Sequence, residues 1–187
     1  MLHLAPHVPA NREIKNIIFD FGGVICDLDI SRTEKKFLEF GPAKDSGLAS
    51  SSEQSLAFDK LVEQYESGAI SSDIFRQVIR EHYATPPSDE TIDDTWNALL
   101  VGIPKERIEL LEKIRNQYRI FLLSNSNEIH YFHYLEMFRQ LTGYQNFNDL
   151  FEKAYFSYQV VLSKPGESIF RHVLENSNLV PAETLCI

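Results

Sequence analysis

The feature that most constrains this chain is a short β-branched run, Ile14 to Phe19, that ends on Asp20-Phe21-Gly22-Gly23. It reads as a buried strand leaving into a glycine turn, which puts Asp20 at the strand's carboxyl end. The next strand pattern, Arg119 to Ser124 (RIFLLS), comes only after about eighty residues of mostly helical sequence, far more than a parallel crossover needs. Ser31 and Glu34 form a candidate capping box ahead of a stripe of Phe37, Leu38 and Phe40. Gln54 to Glu66, Ser72 to Tyr83 (Ile74, Phe75, Val78 and Ile79 on one side) and Asp89 to Leu100 (Ile92, Trp96, Leu99 and Leu100) then show helical spacing. Ser46 to Ser55 reads as a serine-rich loop.

From Pro104 the pattern alternates. An amphipathic helix with Ile108, Leu111 and Ile114 inward precedes the RIFLLS strand, and a Tyr- and His-rich helix follows over Glu128 to Leu141. Lys153 to Ser157 reads as a third strand, Pro165 to Glu175 as a helix and Glu183 to Ile187 as the start of a fourth strand. The expected fold is α/β: a Rossmann-like parallel sheet flanked by helices, carrying an inserted α-helical bundle as a cap. The division predicted is a loose leader at 1–13, a core over 14–29 and 103–187, and a cap over 30–102.

The 187 residues carry a formal net charge of -9, which disfavours a nucleic-acid backbone or an anionic membrane as partner. Cys26 and Cys186 have no metal-binding or disulfide spacing, which points to a reducing cytoplasm. The start, Met1 to Arg12, lacks the pattern of a secretory signal, and no apolar run is long enough to span a bilayer. Oligomeric state leaves no sequence signal.

Ligands of open α/β sheets gather beyond the carboxyl ends of the strands. Asp20 with Gly22 and Gly23, Ser124 with Asn125, and Lys164 with Pro165 stand at those places. A carboxylate, a hydroxyl and an ammonium beside turns with free N–H groups suit phosphoryl transfer. Asp20 would attack phosphorus and become an aspartyl-phosphate. Lys164 would keep it ionised and clamp a phosphate oxygen, while the Ser124 hydroxyl and nearby N–H groups, such as those of Phe21 and Gly22, bind the other oxygens. Hard oxygen ligands make Mg2+ the natural metal and a small phosphorylated metabolite the natural partner. Neither GxGxxG nor GxxxxGK[ST] is present, so a nucleotide-loop reading of the glycines fails. His130 and His133 lack a carboxylate at helical spacing to complete a zinc site, and Cys26 and Trp96 read as packed core.

IIFDFGGVI (Ile17 to Ile25), LLSNSN (Leu122 to Asn127) and LSKPGESIF (Leu162 to Phe170) occur in that order, each at its strand or helix start. In these pieces the chain resembles the haloacid-dehalogenase-like superfamily, and in particular its small sugar-phosphate phosphatases with a helical cap. The resemblance implies Asp20 as nucleophile and magnesium ligand, the backbone carbonyl of Gly22 as a second ligand, Ser124 and Asn125 at the phosphate, and Lys164 as charge clamp. Two departures stand out. The superfamily's second aspartate is Gly22 here, which leaves the leaving-group proton to water, a cap residue or Asp27. Asp27 and Asp29 otherwise read as helix caps or solvated charges. The remaining acidic metal ligands are expected beyond Ile187, as though the chain were truncated and its metal site incomplete. The competing readings are a 2-haloacid dehalogenase using Asp20 without metal, and an inactive or regulatory member that binds a phosphorylated ligand.

Overall fold

The computed structural model of the chain describes residues 13–41 and 51–187. The proposed leader lies outside them except for residue 13, as does the first half of the serine-rich stretch. From Ser51 onward that stretch is helix rather than loop.

Four parallel strands form the sheet: β1 (Asn16–Phe19), β4 (Arg119–Ser124), β5 (Lys153–Phe156) and β6 (Thr184–Cys186), in the order β5-β4-β1-β6. Side chains alternate between its faces as the period of two requires. Ile17, Phe19, Ile120 and Leu122 enter one core, and Ile18, Phe121, Leu123 and Tyr155 enter the other. Helices α5 (Lys105–Ile114) and α6 (Glu128–Thr142) cover the first face through Ile108, Leu111, Tyr134, Leu135 and Phe138. The second face is covered by α8 (Glu167–Asn176) through Ile169 and Val173, both fully buried. The expected α/β architecture is therefore present, with helices on both faces of a parallel sheet.

Between β1 and α5 the chain builds the inserted helices: α1 (Ile30–Leu38), α2 (Ser51–Glu66), α3 (Ser72–His82) and α4 (Asp89–Trp96). Leu61, Tyr65, Phe75, Ile79, Ile92 and Trp96 form their core, which closes on Ile129 of α6. The faces differ in detail from the periodicity. Phe75 and Ile79 are buried, but Ile74 and Val78 are exposed, and so is Leu38. A helix only needs one stripe against its neighbour, and four apolar positions in a row wrap further round than that stripe. The N-cap of α1 is Asp29, not Ser31: its Oδ1 accepts from the Ser31 N–H at 3.1 Å and from the Ser31 hydroxyl at 2.6 Å. An ionised carboxylate two residues earlier recruits the serine it displaces.

A two-stranded antiparallel ladder, β2 (Asp27–Leu28) with β3 (Leu100–Gly102), joins the point where the chain enters the inserted helices to the point where it leaves. Leu100, expected at the end of a helix, belongs to this ladder. Strands this short leave no period to read. A further short helix, α7 (Ser157–Val160), follows β5 directly. No helix among the described residues is long and apolar enough to cross a membrane.

His130 anchors the inserted helices to α6. Its ring stacks on Trp96 at 4.9 Å and 9°, with Nδ1 3.0 Å from Asn97 Oδ1. Burial, helped by His133, pushes its pKa from 6.5 down to about 3. The unfolded chain therefore binds more protons than the folded one between these values, and stability falls as pH drops below 6.5. Thermal melts from pH 7 to pH 4 are expected to show this loss, on the order of 1 kcal/mol per pH unit for this group. His130→Phe should keep the stacking and flatten the slope.

Candidate active site

Asp20 follows the last residue of β1, and its N–H donates to the Ile187 carbonyl at 2.8 Å, which fixes the backbone where the strand ends. The chain then folds back sharply: the Phe21 carbonyl accepts from the N–H groups of Ile25 and Cys26 at 2.8 and 2.9 Å, and the Gly23 N–H donates to Cys26. Gly23 holds φ at +76°, a conformation that costs glycine little. The buried Phe21 ring packs on Tyr134 (4.4 Å) and Phe147 (5.6 Å) and anchors the turn from below. Cys26 beneath it is fully buried, and burial raises its thiol pKa to about 11, so it is inert packing.

The Asp20 carboxylate is held at both oxygens. Oδ1 accepts from the Phe21 N–H at 2.6 Å, and Oδ2 lies 2.7 Å from Lys164 Nζ. Lys164 also donates to the Leu123 carbonyl at 3.1 Å, so among the described residues two of its three N–H bonds are used. The lysine is itself positioned by Asn125, whose Nδ2 donates to the Lys164 carbonyl at 2.8 Å and whose Oδ1 accepts the Lys164 N–H at 2.9 Å. Asn125 and Lys164, 39 residues apart, thus meet Asp20, which lies more than a hundred residues before either, in one place. Ser124 is buried at the end of the adjacent strand, its hydroxyl donating to the Asn125 carbonyl at 3.2 Å.

Gly22 sits where a Cβ would come within 2.9 Å of Leu28 Cδ1, so the space beyond it is taken by an apolar side chain. Its carbonyl accepts no hydrogen bond from the described residues. Asp27, one candidate source of a proton, is instead paired with Arg107 Nη2 at 2.7 Å.

Two participants carried no obvious sequence signal. Ser157, fully buried just after β5, accepts from the Ser126 N–H at 2.9 Å and donates to the Glu66 carbonyl at 2.5 Å, tying the loop after β4 to the end of α2. Its place just beyond a strand's carboxyl end was the available clue. Glu66 and Ser67 share a cleft of about 700 Å3 with Asn125, Ser163 and Lys164. Burial raises the Glu66 pKa, and the Lys164 charge draws it partly back.

No family model matches the chain. Among solved structures, a haloacid dehalogenase (HAD) family enzyme of Bacteroides thetaiotaomicron, solved as a magnesium complex, is 35% identical, covers 94% of this chain and 83% of its own, and superposes with a TM-score of 0.81. This chain belongs to the HAD family. A curated relative, the D-ribitol-5-phosphate phosphatase of B. thetaiotaomicron, is 29% identical over 174 residues, 93% of this chain and 82% of the relative. The L-2-haloacid dehalogenase of Xanthobacter autotrophicus shares the fold at 16% identity, covering 92% of this chain and 69% of its own with a TM-score of 0.53. The HAD chain described here is thus an enzyme with its polar groups gathered at the carboxyl ends of β1 and β4, where the sequence placed them. His130 and His133, by contrast, lie in helix α6, with His130 in the core.

Because the Asn125 amide makes both bonds to the Lys164 backbone, Asn125→Ala is expected to cost about 1–3 kcal/mol in urea unfolding, the penalty for leaving a partly buried donor and acceptor unmatched.

Proposed function

We propose that this HAD enzyme is a magnesium-dependent phosphatase of small phosphomonoesters, with a phosphorylated polyol or sugar as substrate and Asp20 as nucleophile. The observation that carries the reading is the Asp20–Lys164 pair at 2.7 Å, set at the strand ends beside Asn125 and Ser124. The relatives add support: one is a phosphatase of D-ribitol 5-phosphate, and the B. thetaiotaomicron HAD enzyme has been solved with magnesium and inorganic phosphate together.

The reaction follows from the groups present. Lys164, already paired with Asp20, offers its remaining N–H to a phosphate oxygen, lowering the repulsion between two anions. The other oxygens are assigned to the N–H groups of the Phe21–Gly22 turn and the Ser124 hydroxyl, with Phe21 and Ser124 giving up their bonds to Asp20 Oδ1 and the Asn125 carbonyl as the ligand enters. An Asp20 oxygen forms a bond to phosphorus as the bond to the substrate's alkoxy oxygen breaks, and that oxygen takes a proton from water. A second water attacks the phosphorus of the aspartyl-phosphate, releasing inorganic phosphate and restoring the carboxylate.

Asp20 and the Gly22 carbonyl, which accepts no hydrogen bond from the described residues, are hard oxygen donors that fit a magnesium ion keeping several of its waters. No group of three or more His, Cys, Asp or Glu among the described residues could form a full protein cage. When bound, the ion would neutralise charge on the phosphate.

Phosphate release from an aryl phosphate is expected with magnesium and not in EDTA. Asp20→Asn should reduce kcat by at least about 10³-fold and Lys164→Ala by about 10²-fold or more. Metal-independent halide release from a 2-chloro acid would select the dehalogenase reading. Phosphate binding without turnover would select the regulatory one.

A further inference from the structure

Lys164 and Asn125 line a cleft of about 700 Å3 together with the end of α2. Lys164 is the cation of this lining. Asp59, Glu63 and Glu66, all from α2, are its carboxylates, with Asp59 and Glu63 exposed and Glu66 partly buried. Ser67, Ser163 and Ser168 also line it. Carboxylates in such a lining repel a second anionic group and accept hydrogen bonds from neutral hydroxyls.

Glu66 is distinguished from the other two carboxylates because its backbone is fixed to the catalytic framework. Its carbonyl accepts from the Ser157 hydroxyl at 2.5 Å, and Ser157 in turn takes the N–H of Ser126, two residues from Ser124. Two residues after Glu66, Gly68 holds φ at +74°, and a Cβ there would fall 2.4 Å from the Tyr158 carbonyl oxygen. The end of α2 therefore lies directly against the segment that follows β5, closer than any side chain would allow.

We propose that Glu66 is a specificity-determining residue that binds hydroxyl groups of the substrate's organic half, so that the cleft selects the monophosphate of a neutral polyol over molecules with a second anionic group. The proposal rests on phosphate being bound at Lys164, as in the function proposed above. Because the hydrogen bond from Ser157 goes to the backbone, replacing the Glu66 side chain leaves this anchoring in place.

The test is calorimetric binding in the turnover-blocked Asp20→Asn protein with magnesium, comparing ribitol 5-phosphate, ribulose 1,5-bisphosphate and inorganic phosphate. The ratio of affinities for ribitol 5-phosphate over inorganic phosphate is expected to fall about tenfold or more in Glu66→Ala and less in Glu66→Gln, as for a buried group that loses its hydroxyl partner. The bisphosphate should bind more weakly than ribitol 5-phosphate, and Glu66→Gln should narrow that gap. An unchanged ratio in folded Glu66→Ala, checked by thermal melting, overturns the proposal, as does a bisphosphate that binds as tightly as the monophosphate. Phosphate release by the unsubstituted enzyme is measured in parallel. Release with an unchanged ratio overturns the role of Glu66 alone. Absence of both release and phosphate binding overturns the phosphatase reading and the Glu66 assignment with it.

Discussion

The register between β1 and β4 governs everything at the polar end of this sheet. Phe19 lies opposite Leu122, so Asp20 and the Leu123 carbonyl come level, one strand apart. Lys164 spans them, reaching the carboxylate at 2.7 Å and the carbonyl at 3.1 Å with the same ammonium. A slip of one residue would turn Ile17 and Phe19 out of one core and Ile18 into it, so apolar burial on both faces holds the register that the ion pair needs. The placing of the polar groups at the strand ends is thus set by hydrophobic packing well below them.

The pair itself is a compromise. The Lys164 side chain is 21% exposed and that of Asp20 is 38% exposed, so water screens the attraction and the pair adds little to stability. Its use lies in geometry, since a charged pair that is only partly solvated can exchange one partner for a ligand without leaving a bare charge in the core. Asn125 makes that exchange possible. By binding the Lys164 backbone at both N–H and carbonyl, it keeps the lysine's stem in place whatever the ammonium contacts.

The sheet and its sequence of strands were legible because buried strands and glycine turns have short-range signatures. Asp20, Ser124, Asn125 and Lys164 could be picked out because a general rule of α/β sheets points to strand ends. What escaped depends on tertiary approach. Ile74 and Val78 share apolar character with their buried neighbours but find nothing to pack on. Ser157 and Glu66 gain their significance from a contact between residues ninety positions apart, which no local pattern announces. Asp27 illustrates the opposite case, a carboxylate near the right turn whose partner, Arg107, comes from a distant helix.

The β2–β3 ladder means that the inserted helices begin and end on hydrogen-bonded neighbours. To the sheet, the whole insertion is therefore equivalent to a single hairpin: its two ends are already together, and the entropy of closing the loop between them grows only slowly with its length. Segments of very different size could be exchanged at this doorway without moving β1 or the residues beyond it. A fold arranged this way can keep the polar groups at its strand ends fixed while the surface above them is rewritten.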